Sequence, residues 1–244
     1  MSQDVYEWTR EWSLARGLKL WSADSADSTN SRAKNDETFS PLRPSIGKVS
    51  EPSLYLARTQ TAGRGRGTHS WENADGALLS SWSYRLANSP QPILSPLVGL
   101  ALFDSLRRSF AGLELSLKAP NDVHAGGNKI AGLLIESVVT GDDVKVVIGL
   151  GLNVMSRPPS IPQSGAIGDT THVARETWLG FLDTLRSEFA RALGAGQEPA
   201  LRADVRARLR EALNAFPHLT DPVIQVDEQG QIQTSRGFVH WHQL

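Results

Sequence analysis

Between Gln60 and Trp71 the sequence reads Q-T-A-G-R-G-R-G-T-H-S-W, so that Gly63, Gly65 and Gly67 alternate with Arg64 and Arg66. Glycines let a backbone turn tightly and bring its N–H groups forward. Two guanidiniums on the same loop add planar, permanent charge suited to a phosphate or a carboxylate, and Trp71 adds a flat apolar surface beside whatever is held. The combination suits a nucleotide or an activated acid. It equally suits a surface glycine turn with solvated arginines. Two clusters further along bear on that choice: Lys118 precedes Ala119-Pro120-Asn121-Asp122, and Lys129 opens Lys129-Ile130-Ala131-Gly132. Joining a carboxylate to a phosphoryl group sets like charges together, so such a site needs fixed cations and a metal where charge develops. Arg64, Arg66, Lys118 and Lys129 are cations of that kind. Asp122 could orient or deprotonate an attacking amine, or be simply a turn residue after proline.

Periodic segments place these residues. Residues 54–59 read as a strand that delivers the glycine loop. Leu113, Leu115 and Leu117 alternate with polar neighbours, so Lys118 leaves on the face opposite the leucines, and Pro120 interrupts the strand. Residues 129–140 and 144–154 read as a long hairpin, nearly continuously apolar as in a covered sheet. Its antiparallel ends set Lys129 beside Asn153, and Gly132, Gly149 and Gly151 leave room for a close approach. Residues 24–30 are small hydrogen-bonding side chains suited to cap a helix over 31–34, which does not preclude binding. Helices are expected at 4–14, 92–110 and 171–193, the last closed by Gly194. Another follows from Leu201 to Leu213, with Arg202, Arg206, Arg208 and Arg210 on a solvated face. Residues 36–52 read as an irregular surface loop and 156–169 as a mobile loop beside the site. After Pro217, short strands at 223–227, 231–234 and 238–242 form a small β tail, in which His240 and His242 lack a nearby third metal ligand.

The totals narrow the classes. Lys and Arg number 25 against 26 Asp and Glu, so any basic site is local and bulk nucleic-acid or membrane-surface binding is not expected. The 244 residues include no cysteine, which removes disulfides, thiolate metal sites and cysteine nucleophiles together. Residues 1–10 are polar, unlike a cationic apolar leader, and no apolar run approaches the roughly 20 residues of a membrane span. A cytoplasmic protein is expected. The Gly63 loop leads toward a strand instead of opening a helix, and no Lys-Ser/Thr pair follows it, which sets aside P-loop and Rossmann sites.

Taken in order, Asp27-Ser28-Thr29-Asn30, the loop from Gln60 to Trp71, Lys118 to Asp122 with Lys129 to Gly132, and Gly149-Leu150-Gly151-Leu152-Asn153 resemble the biotin protein ligases, the biotin–[acetyl-CoA-carboxylase] ligase group. The likeness runs through residues 18–155. It implies an α+β fold: a mixed β-sheet with helices packed mainly on one face, as in biotin and lipoate ligases and class II synthetases. It implies a catalytic domain over 1–217 and a short, SH3-like C-terminal β domain over 218–244. The implied activity makes biotinyl-5′-AMP from biotin and MgATP, then transfers biotin to one lysine of a biotin carboxyl carrier protein.

Carried over by residue, Ser28, Thr29, Asn30 and Gln60 would hold biotin, while Gly63, Arg64, Gly65 and Arg66 would close over the adenylate. Arg64 and Arg66 would face the biotin carboxylate and the phosphates, and Trp71 would frame the nucleotide. Lys118, Asn121 and Asp122 would lie on the nucleotide and magnesium side, with Asp122 as the metal's carboxylate and the group assisting transfer. Lys129 would contact both the biotin carboxylate and the α-phosphate, and Gly132, Gly149 and Asn153 would line the pocket. The chain departs from the family pattern at Ala119, where tryptophan is usual, and at Thr68-His69-Ser70, where a further cation is common; both point to weaker adenylate retention. Too few residues precede Leu18 for a DNA-binding helix-turn-helix, so a monofunctional ligase without a DNA partner is expected. A homodimer, as in some relatives, is compatible with the sequence. Lipoate–protein ligase, which shares the fold and the adenylate chemistry, and a non-catalytic binding relative are the alternatives.

Overall fold

The structure is a computed structural model and describes residues 4–38, 44–45 and 48–244. Residues 39–43 and 46–47 of the expected surface loop lie outside the described residues. Alternating apolar and small residues build a seven-stranded sheet from β1 (Lys19–Ala26), β2 (Ser53–Gln60), β3 (Leu78–Leu86), β4 (Leu115–Lys118), β5 (Asp122–Ala125), β6 (Asn128–Thr140) and β7 (Asp143–Leu152). The spatial order is β1-β2-β3-β7-β6-β5-β4. Only β1 and β2 run parallel.

The two-residue period of β7 decides the faces. Val144, Val146, Ile148, Leu150 and Leu152 enter the main core, which packs against α1 (Val5–Ala15), α3 (Leu94–Ser109) and α4 (Arg175–Ala195). Fully buried Trp82 of β3 meets Trp12 at 5.8 Å and Phe189 at 5.7 Å between ring centroids, joining sheet, α1 and α4. Each such burial contributes roughly 1.5–3 kcal/mol. The opposite face carries Val147, Gly149 and Gly151, and a short helix, α2 (Thr29–Asn35), lies on it. Its Ala33 seats on Tyr55 and Val147, with Trp21 beside them. Lys145, on the same face of β7, donates from Nζ to the carbonyls of Ala33, Lys34 and Asp36, fixing the C-terminal end of α2. Seven residues of helix cannot cover this face. The uncovered part, floored by glycines, is where the site forms.

Several elements differ from expectation. Asp122 begins a strand, β5, whose pairing with β4 closes a tight hairpin around Pro120. α4 continues through Gly194 to Ala195, because an internal glycine costs only about 1 kcal/mol against a well-packed helix. The arginine face of α5 (Ala203–Asn214) is not simply solvated: Arg208 pairs with the buried Asp104 of α3, and Arg206 reaches Glu228 at 3.8 Å. The loop expected to be mobile is strapped to the site. Lys129 N–H donates to the Gln163 carbonyl and Gly165 N–H to the Lys129 carbonyl, both at 2.9 Å, while Ile167 N–H donates to Asn153. The tail forms a three-stranded antiparallel sheet of β8 (Gln225–Val226), β9 (Ile232–Thr234) and β10 (Gly237–Val239). Its Val223, Val226 and Ile232 sink into the main core, so it is anchored to the body. β10 ends before His240, and the His240 and His242 rings stack at 5.8 Å on a short turn, both exposed. No group of three or more metal-ligating side chains occurs among the described residues.

Candidate active site

The glycine loop folds into a narrow hairpin. Trp71 N–H donates to Gly63 at 3.0 Å, Gly65 N–H to His69 at 2.8 Å, and His69 N–H to Arg66 at 3.1 Å. The strands lie so close that a Cβ on Gly63 would stand 2.6 Å from the Trp71 carbonyl oxygen. Gly67 makes the turn with a positive φ of 59°. Within the run that sequence suggested as a cradle for an anion, the Gly65 N–H is spent inside the hairpin. The loop brings Arg64, Gly65 and Arg66 to the cavity. Asn73 pins its base, accepting from Gln60 N–H at 3.2 Å and donating to the Gln60 carbonyl at 2.7 Å.

Behind the hairpin lies a cavity of about 240 Å³, room for a small molecule. Its floor is the glycine face of the sheet. A Cβ on Gly151 would fall 2.6 Å from Trp71 Cδ2, and one on Gly132 would fall 3.0 Å from Trp71 Cζ3, so the indole rests directly on the backbone. Gly149 serves Asn30 in the same way, at 2.8 Å to Cγ. At this end Ser28 caps α2, and Gln60 Oε1 accepts the Thr29 N–H at 2.8 Å. Ser81 Oγ donates to Asn30 Oδ1 at 2.5 Å and lies 2.8 Å from Thr29 Oγ1. Asn30 Nδ2 donates to the Leu134 carbonyl at 3.2 Å. Ser28, Thr29, Asn30 and Gln60 line the cavity, and Ser81 behind them helps orient the polar atoms of Thr29 and Asn30.

The other end carries charge. Lys129 Nζ pairs with Asp122 Oδ2 at 2.8 Å and stands 5.8 Å from the centre of the Trp71 ring. Asn121 donates to the Leu133 carbonyl and lies 3.5 Å from an Arg66 nitrogen, so the second loop arginine is turned toward this end. Among the described residues lining the cavity, Asp122 is the sole carboxylate. That suits magnesium, which is ordinarily held by one or two carboxylates with phosphate oxygens and water completing its shell.

The structure thus brings together Ser28, Thr29, Asn30, Gln60, Arg64, Gly65, Arg66, Trp71, Asn121, Asp122, Lys129, Gly132 and Gly149 around one cavity. Three expected residues do not line it. Gly63 lies in the hairpin's base. Lys118 shares the Asp122 face, but its ammonium sits 5.8 Å from the centre of the Phe216 ring. Asn153 is buried, donating to the Gly165 carbonyl at 3.0 Å, and so holds the 163–165 strap. Arg64, expected to face an anion, instead pairs with Glu136 through both terminal nitrogens at 3.2 Å. Glu136 and Ser81 were missed from sequence. Glu136 had a legible signal, since it follows Gly132 and Leu134 at period two as the one acidic residue of an otherwise largely apolar strand. Burial alone would raise the Glu136 pKa, but hydrogen bonds from Lys34 and Asn30 and the charge of Arg64 outweigh it and hold the carboxyl below its ordinary value.

Comparison with known proteins meets this geometry directly. The profile of the Biotin/lipoate A/B protein ligase family matches residues 26–153, which span all four motifs and the whole cavity lining. The chain belongs to this family. Among curated relatives, the biotin–[acetyl-CoA-carboxylase] ligase of Mycobacterium tuberculosis is 31% identical over 205 residues, 78% of this chain and 76% of the relative. That of Paracoccus denitrificans is 33% identical over 170 residues, 65% of this chain and 70% of the relative. The bifunctional ligase/repressor BirA of Escherichia coli is 35% identical over 126 residues, and the match spans 39% of its length. The fold is that of the Aquifex aeolicus biotin protein ligase solved with biotin and ATP, at a TM-score of 0.63 and 22% identity over 91% of this chain and 94% of that one.

Proposed function

We propose that this member of the biotin/lipoate ligase family is a biotin–protein ligase, which activates biotin with MgATP to biotinyl-5′-AMP and transfers biotin to one lysine of a biotin carboxyl carrier protein. The observation that carries the reading is the two-ended cavity: neutral hydrogen-bonding groups from Ser28, Thr29, Asn30 and Gln60 at one end, Arg66, Lys129 and Asp122 at the other. In the first step a biotin carboxylate oxygen attacks the α-phosphorus, and the bond to pyrophosphate breaks. The nucleophile is already ionised at neutral pH, so no histidine or serine base is needed. Lys129 and Arg66 lie where negative charge accumulates and stabilise it. In the second step the acceptor amine attacks the acyl carbon, AMP departs, and Asp122 takes or orients the amine proton. Bound magnesium, with Asp122 as its protein ligand, would neutralise phosphate charge.

On this reading residues 1–217 form the catalytic unit and 218–244 a small β domain attached to it. No described helix is long and apolar enough to cross a membrane; a cytoplasmic location, where MgATP and the carrier meet, is part of the proposal.

The test is mass spectrometry of the purified protein after incubation with biotin and MgATP, with and without a carrier domain. Retained biotinyl-AMP and one biotin added to the carrier are expected. Adenylate formed with lipoate and not with biotin would overturn the substrate; no adenylate with either would overturn the enzyme.

A further inference from the structure

Plain alternation along β6 would send Lys129 to the wrong face. Ala131 and Leu133 are buried in the main core, and Gly132 between them lines the cavity. Successive side chains of a strand point to opposite faces, so Lys129 belongs with Ala131 and Leu133, its ammonium pressed into apolar packing. It stands instead on the cavity face. Its Nζ is 2.8 Å from Asp122 Oδ2, and both Nζ and Cε lie 3.3 Å from where a Cβ on Gly132 would be.

The pairing with β5 explains the reversal. Asp122 is opposite Gly132 and Val123 opposite Ala131, but His124 is opposite Lys129, so Ile130 is an extra residue without a counterpart. Ile130 and Ala131, consecutive in sequence, are both fully buried in the core. One inserted residue transfers the side chains before it to the other face, and the bulge is what aims Lys129 at Asp122.

Such a bulge has to be held against reverting to plain alternation. His124 stands directly opposite Lys129. Its Nδ1 is 3.1 Å from the Gly127 carbonyl and carries the proton of that bond, since a carbonyl only accepts. The bond braces the two-residue turn at Gly126 and Gly127, with φ of 53° and 80°, through which the chain enters β6. The histidine is 7% exposed and its ring lies 5.0 Å from that of Phe216, which fixes its orientation from the other side.

We propose that His124 is a positioning residue for Lys129: by tying the Gly127 turn to β5 opposite the bulge, it keeps the extra residue at Ile130 and so holds the lysine's ammonium on the cavity face. This rests on the ligase reading for its kinetic consequence and not for its structural one.

The experiment compares His124→Leu, which loses the donor, with His124→Asn, whose side-chain N–H can stand close to the position of Nδ1. In each ligand-free full chain, the nuclear Overhauser contact between the Lys129 ε-protons and the Gly132 α-protons reports which face the lysine occupies. Single-turnover adenylate formation at saturating biotin and MgATP reports the consequence. We expect His124→Leu to lose the contact and to form adenylate about tenfold more slowly, short of the roughly 100-fold that an ångström of misplacement can cost. His124→Asn should keep both near wild type. Adding His124→Leu to Lys129→Ala should slow the reaction no further, because the histidine acts through the lysine. Retention of the contact in His124→Leu, no recovery in His124→Asn, or a further loss in the double variant would overturn the proposal. Should His124→Leu fail to fold, His124→Phe, which keeps a ring against Phe216, decides by the same contact and rate. The contact is read without substrate, so a protein that forms no biotinyl-AMP but loses the contact in His124→Leu and keeps it in His124→Asn fails as a biotin ligase and retains the positioning histidine.

Discussion

Trp71 and Gly151 are in direct contact through a side chain that is missing: the volume a Cβ on Gly151 would occupy already belongs to the indole. The contact connects the loop to the central strand of the sheet and sets the depth of the cavity. Asn30, which accepts from Ser81, uses the next floor glycine, Gly149, for the same close approach. The sheet face is thus built as a floor for other side chains and a ligand, which explains why β7 alternates glycine with Ile148, Leu150 and Leu152 there instead of carrying apolar side chains on both faces.

A methyl group at this point has a definite consequence. Gly151→Ala should lift Trp71 off the floor and displace the hairpin, costing about 1–3 kcal/mol in stability, as overpacking does. It should also abolish adenylate formation. Denaturant unfolding together with the change in tryptophan fluorescence checks both; a variant with unaltered fluorescence and full activity would show that the indole does not shape the working site.

The two cations at the charged end are expected to fail differently. On the proposed reaction, Lys129→Ala removes a charge assigned to the reacting carboxylate and phosphate, and should lower adenylate formation by about 100-fold or more. Arg66→Ala should leave formation measurable and shorten retention of the adenylate. Single-turnover formation and dissociation rates separate the two; wild-type adenylate yield in the lysine variant would refute its role. Because Asp122 is the partner of Lys129, Asp122→Asn should disturb transfer to the carrier most when the acceptor amine is presented below its own pKa.

His124 makes stability depend on pH. Its Nδ1 lies 3.1 Å from the Gly127 carbonyl, its ring meets Phe216 at 5.0 Å, and its Nε2 is buried without a partner. Burial is the main cause holding its pKa below 6.5. The unfolded chain therefore binds more protons than the folded one in the window just below 6.5, and stability must fall as pH drops through it, by at most ~1.4 kcal/mol per pH unit. His124→Gln should flatten that part of the profile. Unfolding curves at about pH 7.5 and 5.5 measure the slope; an unchanged slope in the variant would assign it elsewhere.

The sequence by itself determined what is local. Ser28 caps the helix it precedes, the leucine alternation before Lys118 sets that lysine's face, and the hairpin returns Asn153 to the strand that carries Lys129, opposite Ile130, because capping, period-two alternation and antiparallel pairing each act over a few residues. The four motifs in order carried the family. Period-two spacing also marked the glycine floor. What only the tertiary structure decided is which charge meets which. Arg64 finds Glu136 across 72 residues, Lys118 turns to Phe216 across the α5 junction, and Trp71 finds Gly151, because the chain inserts β7 between β3 and β6 and lays α2 over only part of the resulting face. Those meetings depend on strand order and on the uncovered area of a sheet, quantities that no local pattern of residue types contains.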